Sequence, residues 1–310
     1  MALSIPPLPR SAREGRFCVL QTGAYWKAIH MESNLFGERE GAGVNPVAPW
    51  IGGKRALAKR LVRIIASVEH DTYAEPFVGM GGVFLRRPVA PKSEVINDYS
   101  GEVVNLFRIL QRHYPQFLDC LKFQITSRRE FERLQKVDPS TLTDLERAAR
   151  FLYLQRTAFG GKVTGQNFGV SKERDGRFNL TTLAPLLEDV HERLAGVTIE
   201  NLSFEEFIAR YDRPEVLFYC DPPYFGCEND YGKGMFDRAD FAALADKLRA
   251  IEGKAIVSIN DTPEIREVFA GLTIKPVKVS YTIAQADPKE FGELIIANFE
   301  HPLLKQEAAL

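Results

Sequence analysis

The chain has 310 residues, 45% hydrophobic and 26% charged, enough apolar content for a full core in one large or two small domains. Lys and Arg number 40 against 41 Asp and Glu, which excludes a uniformly basic nucleic-acid coat and leaves any phosphate binding to a local patch. There is no apolar run of a membrane span's length, no apolar signal-peptide centre in "MALSIPPLPR", and no metal-ligand spacing among Cys18, Cys120, Cys220, Cys227 and the scattered histidines, so a cytoplasmic monomer without metal or disulfides is expected.

Residues 1–47 are rich in Gly, Pro and charge, keep no helical or strand period, and read as an N-terminal arm. At "PWIGGKRALAKRLVRIIASV" the pattern sharpens: Gly52 and Gly53 turn the chain, then Leu57, Leu61, Ile64 and Ile65 recur on one helical face. Strand-like "TYAEPFVG" runs into helix-like "MGGVFLRR", and "SEVIND" into "YSGEVVNLFRILQRHY". A long interruption over 115–197 carries helical patterning in "TDLERAARFLYLQR" and a Gly-rich loop in "FGGKVTGQNFG". Beyond it "VTIEN", "VLFYCD", "KAIVSIN" and "GELIIANF" are short β-branched runs separated by amphipathic segments such as "RADFAALADKLRAI". This alternation predicts an α/β fold with a doubly wound, mostly parallel sheet, interrupted by a mainly helical insertion, with ligands beyond the carboxyl ends of the strands.

Chemistry concentrates at three of those strand ends. "EPFVGMGG" puts Gly79, Gly81 and Gly82 where a strand turns, which lets backbone approach a ligand. It is not GxGxxG, because Phe84 stands at the last glycine; nor is "WIGGKR" a phosphate loop, because Arg55 follows the lysine. Asp98 in "IND" lies where α/β nucleotide-binding folds place an acid on ribose hydroxyls, although taken alone it reads first as a helix cap. In "FYCDPPYFG", Pro222 and Pro223 fix two successive φ angles and remove two N–H donors, so the chain leaves its strand rigidly. A plain strand stop, with Asp221 capping something nearby, is the alternative.

"PWIGGK", "EPFVGMGGVF", "IND" and, after an insertion, "DPPY" occur in this order over roughly Trp50 to Phe299, and together they resemble the Dam-like (class α) N6-adenine-specific DNA methyltransferases. The resemblance implies a Rossmann-like fold that transfers methyl from S-adenosylmethionine to N6 of a flipped-out adenine in double-stranded DNA. It implies that Trp50 and Lys54 line the cofactor site, that the turn with Phe77, Gly79 and Gly81 approaches the methionine part, that Asp98 holds the ribose, and that Ser203 and Phe204 flank the adenine. Asp221, which also borders the cofactor, then forms the catalytic motif with Pro222, Pro223 and Tyr224. The implied division is 48–114 for cofactor binding, 115–197 for an inserted target-recognition subdomain, 198–300 for catalysis and 301–310 for a tail.

The chemistry of such a motif follows from the amine. The N6 lone pair is delocalised into the ring, so an acceptor pair made of Asp221 and the Pro222 carbonyl would draw the nitrogen toward tetrahedral shape. Pro223 stiffens that pair, and Tyr224 offers a π-face to an extruded base. The insertion holds a local basic excess that includes Lys172 and Arg174, from which Arg128 is expected on phosphates and Arg156 and Lys162, around a recognition hairpin, on bases. Gly160 stands where better-known family members have Asn, so no target sequence is carried over. Two rivals stand beside this reading: a methyltransferase of another exocyclic amine (cytosine N4 or an RNA base), and a non-catalytic DNA-binding relative.

Overall fold

A computed structural model describes residues 39–40, 43–169, 176–232, 234–281 and 289–305. Most of the arm expected over 1–47, and Lys172 and Arg174, lie outside them.

Seven strands form one sheet: β1 (Thr72–Glu75), β2 (Ser93–Asn97), β3 (Thr198–Glu200), β4 (Val216–Cys220), β5 (Lys254–Asn260), β6 (Thr273–Tyr281) and β7 (Lys289–Ala297). Their order is β3-β2-β1-β4-β5-β7-β6. The first five pair in parallel, and β7 runs antiparallel between β5 and β6. The order reverses between β1 and β4, so the chain winds outward in both directions from that point and leaves a crevice above their carboxyl ends.

Strand alternation makes the sheet two-faced. On β4, Leu217 and Tyr219 join one apolar cluster while Val216, Phe218 and Cys220 join another. The first cluster takes the apolar stripes of α1 (Ala58–Ala66) and α2 (Gly101–Arg112); the second takes α7 (Phe204–Tyr211), α8 (Arg238–Ala250) and α9 (Pro263–Val268). This is the doubly wound arrangement expected from the alternating pattern.

Between α2 and β3 the chain forms α3 (Tyr114–Leu121), α4 (Arg128–Lys136), α5 (Asp144–Thr157) and α6 (Leu180–Arg193). Phe117, Phe131, Leu152 and Leu187 from these helices belong to the first cluster, so the helical segment shares the sheet's core. Start signals match the sequence: Thr143 and Glu146 form a capping box on α5, and Ser203 with Glu206 another on α7.

One local expectation differs, and one strand was not foreseen. "MGGVFLRR" makes only a short 3-10 turn at Phe84–Arg86, because two glycines precede it and Pro88 closes it. Strand β6 was not legible: Lys275, Pro276 and Lys278 interrupt its apolar pattern, and they are tolerated because it is an edge strand. No helix among the described residues is long and apolar enough to cross a membrane.

Candidate active site

The crevice above β1 and β4 is a cleft of about 770 Å³. On its first side the chain leaves β1 through Pro76, Phe77 and Val78 into Gly79, which has φ +49°. A Cβ there would come within 2.6 Å of the Trp50 indole nitrogen, so only glycine allows the turn and the tryptophan to meet. Gly81 (φ +73°) is also required, but for packing: its Cβ would strike Leu85, and it does not border the cleft.

Asp98 follows β2 and bridges two segments. Its Oδ2 accepts the Gly79 N–H at 2.9 Å and its Oδ1 the Ser100 N–H at 2.9 Å. The helix-cap alternative therefore does not describe it, since Ser100 holds the N-cap position of α2. Burial pushes the Asp98 carboxyl up to about 6, against the pull of those two N–H donors. Beneath it the buried Asn97 ties three loops together: its Nδ2 donates to the Pro76 and Leu202 carbonyls and its Oδ1 accepts the Leu202 N–H.

Aromatic rings form one wall. Phe77 lies 5.6 Å from Phe204 and 5.8 Å from Phe236 between ring centroids, and Phe204 lies 5.8 Å from Phe236. Ser203, beside them, accepts the Glu206 N–H through its hydroxyl oxygen, which leaves the hydroxyl proton available. Trp50 packs against Tyr231 at 6.0 Å and Phe151 at 6.4 Å, and the Tyr231 hydroxyl donates to the Ile51 carbonyl.

The second side is the end of β4. Asp221 and Pro223 border the cleft, while Pro222 is buried and Tyr224 lies just behind them. Lys54, 2% exposed, places its Nζ 2.6 Å from Asp221 Oδ1 and donates to the Tyr224 hydroxyl at 3.0 Å and the Gly52 carbonyl at 3.2 Å. Its three protons are thereby committed. Ser258 donates to Asp221 Oδ1 at 3.3 Å, and the Tyr224 hydroxyl donates to Glu293 at 2.7 Å. Burial pushes the Asp221 carboxyl up to about 6, with Lys54 holding it down and Glu293 adding to the rise. Nearby Glu75, at the end of β1, is driven well above the carboxylate range by burial, and accepts the Tyr73 hydroxyl at 2.6 Å.

The Gly-rich loop after α5 is a hairpin, with Ala158 bridged to Phe168 and the Phe159 N–H on the Asn167 carbonyl. Lys162 and Phe159 are exposed on it. The hairpin is tied to the cleft: the fully buried Gln155 donates to both the Pro49 and Gly161 carbonyls, and Ile51 N–H donates to Gly161. Thr164 donates to the Asp230 carbonyl in the loop that follows "DPPY". Arg128 is exposed at the start of α4, its guanidinium 5.3 Å from the Phe168 ring centre. Arg156 sits differently from its expectation. Its guanidinium donates to the Val47 and Arg177 carbonyls at the cleft wall, which favours a structural role over a base contact.

Sequence reasoning did not single out Glu293, Ser258, Asn260, Tyr231 or Phe236. For Glu293 a signal existed, an acid opening the otherwise apolar run "ELIIA". Among the described residues no group of three or more His, Cys, Asp or Glu is placed to hold a metal ion.

The profile of one family, described as D12 class N6 adenine-specific DNA methyltransferase, matches residues 50–283. The chain is 26% identical over 230 residues to the Type II methyltransferase M.CviBI of Paramecium bursaria Chlorella virus NC1A, covering 74% of this chain and 87% of that one. It is 25% identical over 281 residues to the Type II methyltransferase M1.LlaDCHI of Lactococcus lactis subsp. cremoris, covering 83% and 96%. A DNA adenine methylase of Haemophilus influenzae is 26% identical over 270 residues, covering 79% and 89%.

Proposed function

Because the chain belongs to the D12 class N6 adenine-specific DNA methyltransferases, we propose that its cleft takes S-adenosylmethionine as methyl donor and receives an adenine extruded from double-stranded DNA. The residues present suit that donor. A carboxylate with both oxygens already oriented, Asp98, would accept the ribose hydroxyls; Ser203 and Phe204 would flank the adenine ring; and the turn of Phe77 and Gly79 beside Trp50 leaves room for the methionine part. Bound there, S-adenosylmethionine supplies an electrophilic methyl group.

The chain's own part is to present the nucleophile. Asp221 and the Pro222 carbonyl accept the two amine hydrogens and localise the nitrogen lone pair. Lys54 keeps the half-buried Asp221 ionised, and an ionised carboxylate accepts where a protonated one donates. Once methylated, the amine is cationic and strongly acidic, so its proton passes readily to Asp221 or to water. Pro223 limits backbone motion, and Tyr224 gives the base a stacking surface. Around this chemistry, Lys162 on the hairpin reads bases and Arg128 holds phosphate, in a cytoplasmic monomer bound to DNA.

The observation that carries this reading is that Asp98 and Asp221 border one cleft at the point where strand order reverses. Calorimetric titration with S-adenosylmethionine tests it: micromolar binding lost on Asp98→Ala supports the assignment, and unchanged affinity in that variant moves the donor site elsewhere.

A further inference from the structure

The antiparallel pair β5 and β7 turns one polar face toward the catalytic motif. Ser258 and Asn260 alternate onto the same side of β5, and Asn260 stands directly opposite Glu293 on β7. Each grips a different residue of the motif's surroundings. Ser258 donates to Asp221; Asn260 accepts the Phe225 N–H at 2.9 Å and donates to the Phe225 carbonyl at 3.0 Å; and Glu293 accepts the Tyr224 hydroxyl at 2.7 Å. Glu293 is 1% exposed and is followed by the apolar Leu294, Ile295, Ile296 and Ala297. A purely structural strand would be served better by an apolar side chain there, since burying an acid is costly even when it is paired.

We propose that Glu293 is a positioning residue for methyl transfer, acting through Tyr224 to fix the aromatic ring against which the extruded base is held beside Asp221. The proposal rests on reading the cleft as the methyl-transfer site. The Tyr224 hydroxyl has one proton, committed to Glu293, while Lys54 donates to its oxygen from the other direction. Displacing the ring therefore breaks two charge-assisted bonds at once. Truncating Glu293 removes one of them and leaves the Lys54 contact to Asp221 in place; because Glu293 also adds to the rise of the Asp221 carboxyl, its loss makes that carboxyl easier to ionise, so a slower reaction is a defect of ring placement and not of carboxylate ionisation.

The test uses the full chain as wild type, Glu293→Ala, Glu293→Gln, Tyr224→Phe and the Tyr224→Phe/Glu293→Ala pair. Single-turnover methylation is followed with tritiated S-adenosylmethionine on genomic DNA lacking N6-methyladenine, donor affinity by calorimetry, and the Tyr224 hydroxyl by NMR of tyrosine labelled with 13C at Cζ. The Tyr224 line is assigned from the Tyr224→Phe spectrum. The Ala variant is expected to transfer methyl about ten- to a hundredfold more slowly with donor affinity within about twofold of wild type. The Gln variant, whose amide oxygen still accepts the hydroxyl, is expected within about threefold of wild type. The double variant should be no slower than Tyr224→Phe alone, and the Tyr224 line should move in the Ala variant. A wild-type rate in the Ala variant, a Gln variant as slow as Ala, a double variant whose loss is the product of the single losses, or an unmoved Tyr224 line overturns the proposal. If the wild type itself transfers no methyl to DNA, the reading of the cleft fails, and the NMR arm still decides whether Glu293 holds Tyr224.

Discussion

Lys54 Nζ and Asp221 Oδ1 meet at 2.6 Å inside the cleft, joining the segment before the first strand to the end of the fourth. The pair explains how a half-buried carboxylate near Glu293 stays ionised near neutrality. Replacing Lys54 by Met removes the opposing charge, so burial and Glu293 raise the Asp221 pKa unopposed. The acid limb of the rate profile should move up by about 1 to 3 pH units, with activity at pH 7 falling about two- to a hundredfold across that range. A pH–rate series on the two proteins checks this, and an unmoved acid limb would show that Lys54 does not control Asp221.

In the wild type the sign runs the same way. Asp221 and Asp98 are both raised to about 6 by burial, so both are ionised at pH 7.5 and both gain protons as pH falls through 6. Methyl transfer per encounter should therefore decline below about pH 6 with a slope approaching two, one proton for each acid. Calorimetry at pH 7.5 and pH 5 separates them, because only Asp98 protonation is expected to weaken donor binding.

Asp98→Ala should weaken S-adenosylmethionine binding by about 1.5 to 3 kcal/mol through loss of charge-assisted bonds to the ribose. DNA affinity measured without the donor should change little, because Asp98 faces the cleft and the Gly79 turn. A gel-shift titration beside the calorimetry distinguishes this from general misfolding.

On the DNA side the three arginine and lysine positions should fail in three ways. Lys162→Ala should relax the methylated sequence, costing about 1 to 3 kcal/mol of discrimination, and Arg128→Ala should weaken binding to every sequence and lower the salt slope by about one. Arg156→Ala should instead lower thermal stability, by about 1 to 3 kcal/mol, since it strips donors from the Val47 and Arg177 carbonyls. Methylation of a randomised duplex pool at two salt concentrations, with melting curves, reads all three.

The parallel half of the sheet was legible because its strands are short apolar runs between amphipathic helices, and the site was legible where it sits on that half. Gly79, Asp98 and Asp221 carry their signal in the few residues around them. Asn260 and Ser258 do not, and the acid that opens "ELIIA" does not reveal its partner, because the roles of all three exist only once β7 pairs antiparallel with β5 and turns three polar side chains to the motif. The partners of Arg156 are hidden for a related reason: its position before an aromatic and a glycine-rich turn is visible in the sequence, whereas the carbonyls that hold it come from distant segments.

Methylation of adenine N6 through the Asp221 carboxylate is tested most directly by incubating wild type and Asp221→Ala with labelled S-adenosylmethionine and unmethylated DNA, then separating the nucleosides. The label should appear in N6-methyladenine alone with the wild type, and should fall about a hundredfold or more in a variant that melts as a folded protein. Label in N4-methylcytosine, or more than about a tenth of wild-type turnover remaining in Asp221→Ala, would contradict it.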